Sequence, residues 1–156
     1  MHKKSLAIEE KLGSQKGMAY QYGNLGLIYQ TRGELDRAEE MHKKSLAIHE
    51  KLGHQEGMAS TYGNLGLIYR RRGELDRAEE MHKKALAINE KLGRQEGMAN
   101  QYGNLGLVAE DRGDLKRALE LWTKARDSFA KIGMPHEVKR VQGLLDGLPE
   151  SGIKPR

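Results

Sequence analysis

The chain repeats itself with a period of 40 residues. The stretch Met1–Glu40 (MHKKSLAIEEKLGSQKGMAYQYGNLGLIYQTRGELDRAEE) returns as Met41–Glu80, again as Met81–Glu120, and fades into Leu121–Ile132. The first two blocks differ at seven positions only: Glu9/His49, Ser14/His54, Lys16/Glu56, Tyr20/Ser60, Gln21/Thr61, Gln30/Arg70 and Thr31/Arg71. A fixed period of this size marks an architecture in which each unit buries its apolar face against its neighbours. Near-identical units offer no place for a unique catalytic constellation. They do offer a long repeated surface.

Glycine punctuates each block, at LGSQKG, LGHQEG and LGRQEG and again at RGELD or RGDLK. Between these breaks lie stretches of helical length, over 15–31 and 34–52 and their equivalents 40 and 80 residues on. At 100° per residue, Met18, Tyr22, Leu25 and Tyr29 share one stripe of the first helix. Tyr20, Asn24, Leu27 and Thr31 fall on the opposite stripe. In the second helix Leu35, Ala38, Met41, Leu46, Ala47, Ile48 and Leu52 spread around more than one face, which suits a helix wedged between two others. Gly23 and Gly26 each cost an isolated helix about 1 kcal/mol against alanine. Their recurrence in every block predicts an offset from the close approach of another backbone. Gly53 and Gly93 are read as left-handed caps of the second helices.

These residues resemble the tetratricopeptide repeat (TPR). The alignment runs through Leu25-Gly26-Ile28-Tyr29, Gly33-Glu34-Leu35, Ala38, His42 and Ser45. It is repeated by Leu65-Gly66, Tyr69, Gly73 and Ala78, and by Leu105-Gly106, Gly113, Ala118, Trp122 and Ala125. The family's usual period is 34, and a period of 40 is similar to the longer-helix variety of kinesin light chains and LGN-type G-protein regulators. Two departures are His42 and His82 at a usually aromatic position, which Trp122 fills in the third copy, and Ala109 in the place of Tyr29 and Tyr69.

The resemblance implies an all-α fold: an α-solenoid, a right-handed superhelix of antiparallel helix hairpins. The expected array covers 1–147, with a half-repeat helix at 1–12, hairpins at 15–52, 55–92 and 95–132, and a capping helix at 135–147 after Gly133-Met134-Pro135. Residues 148–156 are expected to form a flexible tail.

The three copies can be compared with one another. The position sets 16/56/96, 20/60/100, 30/70/110 and 31/71/111 vary within one sector of the first helix, opposite the tyrosines. In the resembled family that sector faces the concave groove that holds peptides. The groove would carry two invariant ladders, Asn24/Asn64/Asn104 and Leu27/Leu67/Leu107. Around them stand Tyr20, Ser60, Arg70, Arg71, Asn100, Glu110 and Asp111, which run from near neutral to basic to acidic. Rows of amides both donate and accept, so they can hold the backbone of an extended peptide whatever its side chains. Some relatives of the family, such as the O-GlcNAc transferases, use an asparagine ladder in this way. The competing reading of Asn24 is a hydrogen bond to a neighbouring helix.

Other chemistry is excluded on spacing. His2, His42 and His82 recur with the repeat and are read as packing residues. His49-Glu50…His54 has the look of HExxH, but it is one residue too long and Gly53 interrupts the helix, so the imidazoles do not share one helical face for zinc. Gly23-Asn24-Leu25-Gly26 is too short for a dinucleotide fingerprint, and no P-loop lysine follows it. With no cysteine, thiol catalysis and thiolate metal sites are out. No cofactor and no catalytic residue are expected. The formal charge of +5 invites a nucleic-acid partner, yet Lys43–Lys44 and Lys83–Lys84 follow Glu39–Glu40 and Glu79–Glu80 at i,i+4, as on a solvated helix face. No run approaches a membrane span, and a cytoplasmic setting is expected.

The expected function is non-enzymatic binding of a protein or peptide segment in the groove. The alternative is a self-assembling structural module, or a fragment of a longer repeat-containing regulatory protein. Met1 has the repeat phase of Met41 and Met81, so the sequence opens on a second helix with no first helix before it. Leu6, Ala7, Ile8 and Leu12 would then face a vacant site. Leu6, Ile8 and Leu12 are therefore candidates for self-association, most simply as a homodimer through the N-terminal half-repeat.

Overall fold

A computed structural model describes residues 2–150, with side chains from Lys11 onward. Its elements are α1 (His2–Thr31), α2 (Leu35–Leu52), α3 (Gln55–Arg71), α4 (Leu75–Leu92), α5 (Gln95–Asp111), α6 (Leu115–Lys131) and α7 (Pro135–Asp146). Among the described residues there is no strand. Each helix packs on the next in sequence, and α1, α3 and α5 also touch along one side, so the hairpins stack as a solenoid.

The close approach within hairpins follows from alanine at the crossing points. Ala19, Ala38, Ala59, Ala78, Ala99 and Ala118 are all buried, one in each of the first six helices. Above them a lysine of each second helix lies over a tyrosine of its first helix: Lys44 over Tyr22, Lys84 over Tyr62 and Lys124 over Tyr102, at 5.5–5.6 Å. The Glu–Lys pairs at i,i+4 are present at 2.8–3.5 Å for Glu39–Lys43, Glu40–Lys44, Glu79–Lys83 and Glu80–Lys84.

The second helices end as their glycines predict. Gly53 (φ 67°) and Gly93 (φ 69°) adopt the left-handed conformation, and the following amides of His54 and Arg94 return to the carbonyls of His49 and Asn89 at 2.9 Å. At Gly13 the outcome is different. The expected break between helices 1–12 and 15–31 is absent, and α1 is one helix of 30 residues. Breaking a helix forfeits backbone hydrogen bonds, and at Gly53 and Gly93 packing on both sides of the second helix offsets that loss. Through Gly13, where residues 9, 14 and 16 differ from their counterparts in the second block, the helix propagates instead.

Two further expectations are corrected. Gly26, Gly66 and Gly106 make room for side-chain rings rather than for a backbone. A Cβ at these positions would stand 2.3–2.6 Å from atoms of His42, His82 and Trp122 respectively. The tail does not begin at Leu148, whose side chain is buried against the core of α5, α6 and α7. Residues 151–156 lie outside the described residues.

Candidate functional site

The first helices of units one and two enclose a cleft of about 230 Å³. One wall is Tyr20, Asn24 and Leu27 from α1, and the other is Ser60 and Asn64 from α3. Helix α2 supplies the floor, with His42, Ser45 and His49, and Glu56 and Arg94 are also at its border. Five of the residues expected in the groove are thus brought together. Leu67, Asn100, Asn104, Leu107 and Glu110 hold the equivalent positions on α3 and α5 but do not line this cleft.

The floor is tied to its neighbours by hydrogen bonds, and His42 Nδ1 is buried without a partner among the described residues. The Ser45 hydroxyl donates to the Ala19 carbonyl at 2.7 Å. His42 is fully buried and meets Gln30 Oε1 through Nε2 at 3.2 Å, and His82 meets Gln101 Oε1 through Nδ1 at 2.9 Å. Burial holds both imidazoles at a pKa of about 4, in the second case together with the charge of Arg70 and against the pull of Gln101. The recurring histidines are therefore neutral packing groups seated on glycines. Trp122 fills the same seat in unit three, where its indole N–H donates to the Gly103 carbonyl at 3.0 Å.

The asparagine ladder is not spent on inter-repeat bonding. The Asn104 amide contacts Gln101 Oε1 at 3.5 Å within its own helix, and among the described residues none of the three amides bonds to a neighbouring helix. Leu27 is exposed, whereas Leu67 and Leu107 are half-buried.

The arginines are engaged within the protein. Arg70 reaches across to α5 and donates to Asp111 at 2.6 and 3.2 Å, and Arg71 donates to the Gln30 carbonyl of α1 at 2.7 Å. Arg72 binds Asp36 and Glu39 of α2. Arg112 repeats that contact one unit on, with Asp76 and Glu79. Although partial burial works in the other direction, the Tyr69 hydroxyl, Arg72 and Lys43 hold the Glu39 carboxyl at about 2. Burial, followed by Glu39, pushes Tyr69 up to about 12. Part of the charge variation along the array is thus pairing between units.

One contact was missed from the sequence. His49 and His54 do meet, Nδ1 to Nδ1 at 3.0 Å, because the left-handed turn at Gly53 folds one back on the other. Tyr20 stands edge-on to both rings, at 5.6 and 6.1 Å between centroids. Burial, then the neighbouring His54 and Lys16, lowers the pKa of His49. The available signal was that positions 9/49/89 and 14/54/94 both vary between copies, on either side of the turn glycine. Among the described residues no cluster of three acidic, histidine or cysteine ligands could hold a metal ion. Leu6 and Ile8 lie outside the residues with described side chains, and Leu12 is exposed.

Residues 17–91 match the family model for the tetratricopeptide repeat. Over these residues the chain is built of tetratricopeptide repeats. Among solved structures, it is similar to BtubC (BKLC) from P. vanneervenii, with 26% identity and a TM-score of 0.66 over 99% of this chain and 57% of that one. The TPR chain thus spans little more than half the length of that relative. The TPR domain of Arabidopsis FLU shares the fold at 20% identity and a TM-score of 0.68, covering 76% of this chain and 98% of that one. The N-terminal domain of stress-induced protein-1 (STI-1) from C. elegans does so at 14% identity and 0.62, covering 82% and 97%. No curated protein matches. Among the described residues of this TPR protein, no helix is long and apolar enough to cross a membrane.

Proposed function

We propose that this TPR array is a non-enzymatic scaffold that holds an extended segment of a partner protein in the cleft between α1 and α3. The family as a whole serves protein–protein interaction, which supports the general reading. The observation that carries the specific one is the pair Asn24 and Asn64, on facing walls of one cleft, with neither amide bonded to a neighbouring helix. Their amides would take the backbone of the segment, while Tyr20 and Leu27 take an apolar side chain. The segment would be read by shape and backbone more than by charge, because Arg70 and Arg71 already have partners. Those arginines tie α3 to α5 and to α1.

The same engagement speaks against a phosphate-binding patch at Arg70-Arg71-Arg72, since all three guanidinium groups are occupied. A soluble, cytoplasmic setting fits such a scaffold. Self-assembly is a second reading, favoured by the exposed Leu25 and Ile28 on α1.

A random peptide library selected on the intact chain tests the first reading. Peptides that bind should weaken about tenfold or more, roughly 1.4 kcal/mol, on Asn24→Ala/Asn64→Ala. Thermal stability should be unchanged. Unaltered affinity for every selected peptide would remove the amides, and with them the cleft, from the account.

A further inference from the structure

One interior position breaks the repeat, and it lies away from the cleft. Tyr29 and Tyr69 hold equivalent places in the first two units, and Ala109 holds that place in the third. Beside Ala109 the structure leaves a cavity of about 200 Å³ among α4, α5 and α6. It shares no lining residue with the cleft between α1 and α3.

Tyr69 shows what such a place holds. Its side chain is buried, and its hydroxyl donates to Glu39 Oε2 of α2 at 2.5 Å. Arg77 of α4 lies over the ring, 4.2 Å from its centroid, and Arg72 donates to Glu39 at 2.8 Å. Forty residues on, each of these polar groups is present again as Glu79, Arg117 and Arg112, and all three line the cavity. Arg112 donates to Glu79 at 2.9 Å, as Arg72 does to Glu39. The apolar wall recurs as Leu105 and Val108, the second one methylene smaller than Ile68. The seat is kept and the ring is gone.

Alanine keeps the β carbon of tyrosine, so the third unit differs from the second by a phenol ring. We propose that the cavity is a binding site for a small monocyclic phenol. The ring takes the place of the Tyr69 ring, between Arg117 and the wall of Leu105 and Val108, and the hydroxyl donates to Glu79. Its para carbon then lies against the Ala109 methyl group, which leaves no path for a main chain attached there. The ligand is therefore a free phenol rather than a tyrosine of a partner protein.

Size and chemistry agree. A cavity of roughly 150 Å³ with apolar walls takes up benzene, so about 200 Å³ admits the ring. A guanidinium over the ring face makes a cation–π contact. A carboxylate that accepts from a hydroxyl makes a charge-assisted hydrogen bond, about twice as strong as a neutral one. A phenol hydroxyl ionises near pH 10 or so, and at neutral pH the ligand brings the proton that Glu79 needs. Arg117 meets Glu120 of its own helix at 3.5 Å, a long contact that it can give up for the ring.

Phenol itself is the probe, added to the intact chain and followed through the backbone amide signals of Val108 and Ala109 in two-dimensional NMR. These signals should shift saturably. Benzene, with no hydroxyl to donate, should bind about tenfold or more weakly. Glu79→Gln should weaken phenol severalfold and leave benzene unchanged. Ala109→Tyr fills the seat from within, so it should lose the response to phenol and unfold at a higher temperature than the wild type. Should that variant not fold, the comparison of phenol with benzene on Glu79→Gln decides alone. Absence of a saturable response, equal affinity for phenol and benzene, or an undiminished response in Ala109→Tyr would overturn the proposal. N-acetyltyrosinamide should not bind. If it bound as tightly as phenol, the occupant would be a tyrosine of a partner, and the assignment of a free small ligand would fall.

Discussion

Helices α1 and α3 carry nearly the same residues and live in different surroundings. From Tyr22 to Tyr29 and from Tyr62 to Tyr69 the two sequences are identical, YGNLGLIY in each. In α3 the leucine and isoleucine are sealed between α2 and the elements that follow, while in α1 they face outward. The pattern of apolar residues thus decides which face asks for cover, and the neighbouring helix decides whether it receives any. In a solenoid, burial belongs to the interface between units rather than to the unit itself.

The comparison predicts its own largest effect. Leu65→Ala should cost about 2–5 kcal/mol in chemical denaturation, because it empties a filled interior site. Leu25→Ala, the same change in the same sequence context, should cost under about 1 kcal/mol in dilute solution, where the exposed side chain has little burial to lose. Equal costs would mean that α1 is covered even in the isolated chain.

Acid sharpens a second contrast, between the units seated with histidine and the unit seated with tryptophan. The folded pKa values of His42 and His82 lie at about 4, below the ordinary 6.5, so the unfolded chain binds protons first as pH falls. Their stabilising contribution is complete above pH 6.5 and is lost between about 6.5 and 4, on the order of 3 kcal/mol for each ring. Trp122 has no proton to take. Hydrogen exchange in that window should therefore show α1 to α4 opening at a pH where α5 to α7 still hold. Uniform loss of protection along the chain would break the distinction.

Much of this was legible beforehand, and the limits have physical causes. Helical period and glycine punctuation revealed the hairpins, the left-handed caps at Gly53 and Gly93, and the Glu–Lys rows, since each depends on residues within a few positions of one another. The ring seats over Gly26, Gly66 and Gly106 were half legible. A need for space could be read from the glycines, but its occupant lies on another helix, at His42, His82 and Trp122. The meeting of His49 with His54 and the reach of Arg70 to Asp111 depend on turn and side-chain direction, which periodicity does not contain. Of the groove residues, Tyr20, Asn24, Leu27, Ser60 and Asn64 share one cleft, because they lie on adjacent first helices. Those of α5 stand one unit further along. The continuity of α1 escaped a reading that treated every copy alike, since Gly13 follows the same Glu-Lys-Leu as Gly53 while residues 9, 14 and 16 around it differ.

That last difference gives the most direct measurement. Gly53 sits at φ 67°, where an alanine costs about 1–2 kcal/mol, whereas Gly13 lies inside α1, where alanine is favoured over glycine by about 1 kcal/mol. Paired denaturation curves of Gly13→Ala and Gly53→Ala should move in opposite directions, the first more stable than the wild type and the second less. Destabilisation by both would show that Gly13 is a left-handed turn like its counterpart, and would contradict the claim that near-identical repeat sequence runs on as one helix through Gly13 and turns at Gly53.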